Sequence, residues 1–276
     1  MADSDDAFAG VSPEPGSPKP DPVLVVEGVR KSFGGLIAVD VAHLEVQRNT
    51  VTALIGPNGA GKTTLFNLLT GFDRADEGTW ALDGGPLVGI PAYQVARRGM
   101  VRTFQLTRAL PRLTVKENVL LAGKDNPGES LWRAFLGGWR QGEREVGERA
   151  DSLLDRFGLA HMSDEYAGSL SGGQRKLLEL ARALMVEPEV IMLDEPMAGI
   201  NPALTQKLLE HIQGLRTDGA TVVFVEHDMD VVQEISDWVV VLAEGRVIAE
   251  DRPGGIAGHP EVIDAYLGEH HGEAAS

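Results

Sequence analysis

A chain of 276 residues is long enough to bury a stable interior, either as one large domain or as a core with a smaller appendage. Lys+Arg of 25 against Asp+Glu of 41 gives a formal net charge of −16, a field that repels phosphate backbones and argues against a nucleic-acid partner. The absence of cysteine excludes disulfides and thiolate metal sites, and no apolar run approaches the roughly 18 residues that span a bilayer, so membrane attachment is expected to go through a partner.

Residues 1–22 carry Asp3, Asp5, Asp6, Glu14 and Asp21 among Pro13, Pro15, Pro18 and Pro20, and read as a disordered acidic tail. From Val23 the pattern turns apolar, and Val23–Val29 and Ile37–Val46 read as strands of an antiparallel layer. Between them Phe33, beside Gly34 and Gly35, offers a ring open on one side, which suits stacking on an adenine base. Val51–Ile55 is then an apolar strand, followed by Gly56-Pro57-Asn58-Gly59-Ala60-Gly61-Lys62-Thr63 and by the helical run from Thr64. Strand, glycine-rich turn and helix in this order fit G-x-x-x-x-G-K-[ST], in which bare backbone N–H groups and a helix N-terminus cradle phosphates. The implied ligand is a nucleoside triphosphate, with Lys62 on its terminal phosphates and the Thr63 hydroxyl on the accompanying Mg²⁺.

Downstream, Gly78–Gly84 reads as a strand, Pro91–Arg98 as a short helix, and Val101–Gln105 as a strand ending in an amide able to touch Mg²⁺ or its attacking water. Thr114 with Glu117 three residues on is a capping box and opens a helical subdomain, expected over about 106–186. Within it Leu131, Trp132, Phe135, Leu136 and Trp139 form an apolar stripe, either a docking surface for a membrane subunit or a satellite cluster of the subdomain. Glu143–Phe157 is an amphipathic helix ended by Gly158. Leu170-Ser171-Gly172-Gly173-Gln174 leads into another helix, with Ser171 near its N-cap and two glycines baring N–H groups at a positive helix end, a second anion site. One nucleotide fills both sites only if a second copy supplies one of them.

Val190–Glu195 lacks alternation, as a parallel strand buried on both faces should, and ends in two carboxylates. Asp194 is placed to hold Mg²⁺ and Glu195 to orient and deprotonate water. Thr221–Glu226 repeats the buried pattern and delivers His227 to the ligand edge of an open sheet, within reach of a γ-phosphate. Trp238–Ala249 reads as a hairpin over Glu244-Gly245, His259–Leu267 as a last helix, and residues 270–276 as a polar tail.

With these stations in order, the chain from about 23 to 269 resembles an ATP-binding-cassette ATPase. That resemblance implies a P-loop α/β fold with a RecA-like parallel core, an antiparallel β layer and a helical signature subdomain. It makes Gly56 to Thr64 the Walker A loop, Gln105 the Q-loop residue, Leu170 to Gln174 the signature, Asp194 and Glu195 the Walker B pair, and His227 the switch histidine. Phe33–Val39, Val101–Gln105, Glu195–Pro202, Glu226–Met229 and Ala265–Glu269 are similar to the branched-chain amino acid (LivG-like) type. Asn201 stands where the wider family usually has Asp. The resemblance further implies ATP and Mg²⁺ as cofactors, a second cassette (the same chain or a LivF-like paralogue), two transmembrane permease subunits, a solute-binding protein, and a place on the cytoplasmic face of the membrane. A lipopolysaccharide-type export cassette and a soluble non-transport ATPase of the same superfamily are the competing expectations.

Overall fold

The computed structural model describes residues 6–103, 109–123 and 139–272. Gln105 and the stripe residues Leu131, Trp132, Phe135 and Leu136 lie outside the described residues. In chain order the elements are β1 (Pro22–Phe33), β2 (Leu36–Gln47), β3 (Val51–Ile55), α1 (Lys62–Leu69), β4 (Glu77–Leu82), β5 (Gly85–Pro86), α2 (Ala92–Arg97) and β6 (Met100–Arg102). There follow α3 (Val115–Leu120), α4 (Trp139–Arg156), α5 (Gly172–Leu184), β7 (Val190–Asp194), α6 (Pro202–Thr217), β8 (Thr221–Val225), α7 (Met229–Ile235), β9 (Trp238–Ala243), β10 (Arg246–Asp251), α8 (Pro253–Ile256) and α9 (Pro260–Gly272). These elements form two compact units: Met1–Arg102 with Glu189–Pro196 and Ile212–Ser276, and Thr103–Pro188 with Met197–His211.

The first unit holds two sheets. One runs β10-β9-β3-β8-β7-β6, parallel except for the antiparallel pairing of β10 with β9; the other is antiparallel in the order β2-β1-β4-β5. Every residue of β3, β7 and β8 is buried, which is why these strands read as unbroken apolar runs rather than alternating ones. The core includes Val26, Val39 and Trp80 of the antiparallel sheet, Leu54, Met192 and Val240 of the parallel one, and Leu65 and Phe66 of α1. Burying a Leu or Phe side chain of this kind stabilises the fold by about 2 kcal/mol, and the Trp80 indole N–H finds the Leu69 carbonyl at 3.0 Å, so that its burial strands no donor.

The second unit contains α3, α4, α5 and the start of α6. Its entry is the expected capping box: the Glu117 N–H donates to Thr114 Oγ1 at 3.1 Å and the Thr114 N–H to Glu117 Oε2 at 2.8 Å. The Asn118 side chain, fully buried, ties the preceding loop down, accepting from the Leu110 N–H at 2.8 Å and donating to the Leu110 carbonyl at 3.0 Å. The unit also takes in residues 197–211, beyond the span of 106–186 expected from the sequence.

One expectation is corrected. Residues 6–21 are not a solvated extension but a strap packed on the first unit. Phe8 is buried and stacks on Trp238, ring centroids 4.7 Å apart and planes 11° off parallel. Lys19, whose side chain has no exposed surface, donates to Glu250 Oε2 at 2.8 Å and to the Ser17 carbonyl at 2.7 Å, and lies 4.8 Å from the Trp238 ring centroid. The Trp238 N–H and the Gly16 N–H donate to the two oxygens of the same Glu250, at 3.0 and 2.9 Å. Asp6 pairs with Arg252, whose hydrogen bond holds the Asp6 carboxyl below its ordinary range. A few anchors spaced along a proline-rich segment leave no periodic signal, which is why a compositional reading passes over them. At the other end α9 runs to Gly272, so the first residues of the expected polar tail are helical.

Candidate nucleotide site

The loop after β3 is shaped by backbone crowding. At Gly56, with φ +146°, a Cβ would lie 1.9 Å from the Leu242 carbonyl oxygen, and at Gly61, with φ +101°, it would lie 2.2 Å from the Ala38 oxygen. Only glycine fits where a loop is pressed between two neighbouring strands in this way. The hairpin turn between β9 and β10 completes the support, the Gly245 N–H donating to the Ala60 carbonyl at 3.0 Å and the Asp40 N–H to the Gly245 carbonyl at 2.8 Å. α1 then begins with Gly61 as its N-cap, without a side-chain cap and without an acidic residue in its first turn. Its N-terminal N–H groups therefore suit an anion. The Lys62 ammonium donates to the carbonyls of Gly56 and Pro57 at 2.6 and 2.8 Å, and Thr63, Asn58 and Gly59 are exposed while Ala60 is buried.

Because β3, β8 and β7 are adjacent and parallel, their C-terminal ends lie along one edge of the sheet. The P-loop leaves β3 there, Asp194 is the last residue of β7, and His227 follows two residues after Val225 ends β8. The Glu195 N–H donates to the Val225 carbonyl at 3.0 Å. Glu195 itself takes φ +46°, a left-handed conformation that costs a residue with a Cβ about 1–2 kcal/mol. Strain of that kind concentrates at working sites. The His227 side chain is 71% exposed, with Nδ1 3.7 Å from Oε2 of the buried Glu226. Phe33, at the end of β1, keeps half its surface open, and the Lys31 ammonium sits 5.1 Å from its ring centroid.

Asp194 is buried and accepts through Oδ2 from Arg102 at 2.5 Å. Among the described residues there is no group of three or more His, Asp or Glu able to hold a metal unaided. One carboxylate and one threonine hydroxyl, both hard oxygens, fit Mg²⁺ that arrives on phosphates and keeps part of its water shell.

The helix start expected from the sequence to be a second anion site belongs to the other unit. Ser171 caps α5 in a capping box, its Oγ accepting from the Gln174 N–H at 3.3 Å and its N–H donating to Gln174 Oε1 at 2.9 Å. The S-x-x-Q spacing in the sequence is the signal for this second half of the box, in which the Gln174 side chain reaches back to the cap. Ser171 and Gly172 are exposed and Gly173 is buried. Asn201 caps α6, its Oδ1 accepting from the Leu204 N–H at 2.9 Å, a bond that an aspartate could also make. Two residues that sequence reasoning missed are the buried Arg102 and Glu226, each adjoining a motif residue. Charge at strand ends was the available signal, Arg102 closing the partly buried β6 and Glu226 following the buried β8, since charge is seldom buried without a partner.

A family model described as ABC transporter matches residues 39–198. The chain belongs to the ABC transporter family. A second model, the branched-chain amino acid ATP-binding cassette transporter, matches residues 246–272 of the cassette. The cassette is 43% identical over 255 residues to the high-affinity branched-chain amino acid transport ATP-binding protein BraF of Pseudomonas aeruginosa, covering 90% of this chain and 98% of that one. It is 39% identical over 251 residues to a probable branched-chain amino acid transport ATP-binding protein LivG of Archaeoglobus fulgidus, covering 91% and 97%. Among solved structures, the ADP conformation of an ATP-binding cassette of an ABC transporter superposes with a TM-score of 0.78 at 38% identity, over 90% of the cassette and 99% of that chain. The RecA-like core, antiparallel layer and helical subdomain expected from the sequence are those of the cassette fold, and its activity is ATP hydrolysis coupled to transport.

Proposed function

We propose that this cassette energises the import of branched-chain amino acids or a related small solute, pairing with a second cassette beneath two transmembrane permease subunits served by a solute-binding protein. The names of its relatives and the match over residues 246–272 support the solute class. No described helix is long and apolar enough to cross a membrane, which suits a subunit held at the cytoplasmic face through permease contacts. Gln105 is assigned to that coupling on family resemblance alone.

The observation that carries the catalytic reading is the single sheet edge on which the P-loop, Asp194, Glu195 and His227 emerge from three adjacent parallel strands. In this reading Lys62 exchanges the carbonyls of Gly56 and Pro57 for the terminal phosphates, while the N–H groups of Gly59, Ala60, Gly61, Thr63 and Thr64 surround them. Phe33 stacks on the base. Thr63 and Asp194 would hold Mg²⁺, which would supply positive charge to offset that of the phosphates. Glu195 orients water and takes its proton, and His227 donates to the γ-phosphate. Ser171 to Gln174 of the second cassette close over the same nucleotide, so that closure and hydrolysis form one cycle.

Glu195→Gln keeps size and removes the base. Phosphate release is expected to fall by about 10²- to 10⁴-fold, while size-exclusion chromatography with ATP shows a dimer that persists. Turnover at the parent rate would remove Glu195 from this role. Co-purification with integral membrane proteins separates the transport reading from a soluble one.

A further inference from the structure

Arg102 lies three residues before Gln105 at the end of β6, in a stretch that the catalytic reading leaves unused. Its side chain is 3% exposed and that of Asp194 is 7% exposed. A guanidinium this deep must place its donors on fixed partners, because its charge is not lost at physiological pH. The fork is divided between two elements. Nη2 donates to Asp194 Oδ2 at 2.5 Å and Nη1 to Asn67 Oδ1 at 2.5 Å, with the Phe66 ring 5.6 Å from the guanidinium carbon. Asn67 is four residues beyond Thr63 on α1, and residues four apart share a helix face. The guanidinium therefore ties the carboxylate at the end of β7 to the helix face from which the Thr63 hydroxyl issues.

We propose that Arg102 is a positioning residue for the divalent-cation site, holding one oxygen of Asp194 and fixing that carboxylate in register with Thr63 through Asn67. The inference rests on the reading that Asp194 and Thr63 are the Mg²⁺ donors. Its physical basis is that a ligating carboxylate keeps its orientation through hydrogen bonds to its outer neighbours, whose loss typically lowers metal affinity by 10- to 100-fold. Arg102 makes no demand on the nucleotide itself. Its loss should thus weaken the metal's contribution to nucleotide binding and spare the metal-free affinity.

The test is calorimetric binding of a non-hydrolysable ATP analogue to the full chain, once with Mg²⁺ and once with EDTA. The ratio of the two affinities measures the metal's share without any turnover. Arg102→Met is expected to reduce that ratio by about tenfold with the EDTA affinity unchanged, Arg102→Lys to recover part of it, and Asn67→Ala to lose part of it. Parallel loss of both affinities would mark Arg102 as a general structural residue and overturn the proposal, as would an unchanged ratio. If Arg102→Met does not fold, the lysine and Asn67→Ala variants carry the same comparison. Asp194→Asn separates the two readings. If it too leaves the ratio intact, the assignment of Asp194 to the metal fails and the proposal with it; if it lowers the ratio and the Arg102 and Asn67 variants do not, only the proposal fails.

Discussion

At the scale of single residues, the nucleotide site is decided by what the backbone leaves room for. The Leu242 oxygen stands 1.9 Å from where a Cβ on Gly56 would be, and it belongs to the backbone of β9, a buried strand that cannot swing aside. Gly56→Ala is therefore expected to destabilise the chain by about 1–3 kcal/mol, the range for overpacking a fixed environment, and to abolish nucleotide binding by displacing the loop. Thermal unfolding and binding of a fluorescent nucleotide check the two effects together. Wild-type affinity in the variant would mean that the loop can move away from β9. Glu195 shows the opposite choice: a residue with a Cβ stands at φ +46°, a local cost that the proposed role of its carboxylate would account for. Its turn follows the last paired residue of β7 and keeps the Glu195 N–H on the Val225 carbonyl.

At the scale of elements, what could be read from sequence depended on whether a segment's stabilisation is periodic. β3, β7 and β8 were legible because burial on both faces leaves an apolar run, and the N-caps of α3 and α5 because Thr114 and Ser171 satisfy helix donors locally. The strap was not legible. Its hold depends on Glu250, 231 positions from Lys19 along the chain, and no local pattern announces a partner that distant. Arg102 was hidden for the same reason, since Asp194 lies 92 positions away. The strap's contribution can be measured. Lys19→Met keeps the length and apolar contact on Trp238 but leaves the Glu250 carboxylate buried without its cation. Breaking one side of a buried pair costs about 3–5 kcal/mol, so a loss near 3 kcal/mol is expected in denaturant unfolding, with partial recovery in the Lys19→Met, Glu250→Gln double variant. A loss under about 1 kcal/mol, the level of an exposed pair, would show that the strap is not held by this contact.

At the scale of the whole molecule, the two helix starts proposed to bind phosphate belong to different compact units of the chain, α1 to one and α5 to the other. If each nucleotide is gripped by α1 of one protomer and α5 of its partner, damage to the two ends should complement. Lys62→Ala removes the ammonium proposed to bind phosphate but leaves Ser171 to Gln174 intact; Ser171→Glu places a negative charge at the start of α5 but leaves the P-loop intact. Each variant alone has two defective composite sites. A mixed dimer has one site with both defects and one with neither, since a two-fold arrangement pairs the P-loop of each chain with the signature of the other. Random mixing yields half mixed dimers, so equal amounts of the two inactive proteins should recover up to about a quarter of the parent ATPase rate if the sites work independently. Strict coupling between the two sites would lower that figure and reveal the coupling, while nucleotide trapped in the mixed dimer would still report the intact site. Neither recovered turnover nor trapped nucleotide, with mixed dimers verified by differential tagging, would mean that each nucleotide is handled within one protomer.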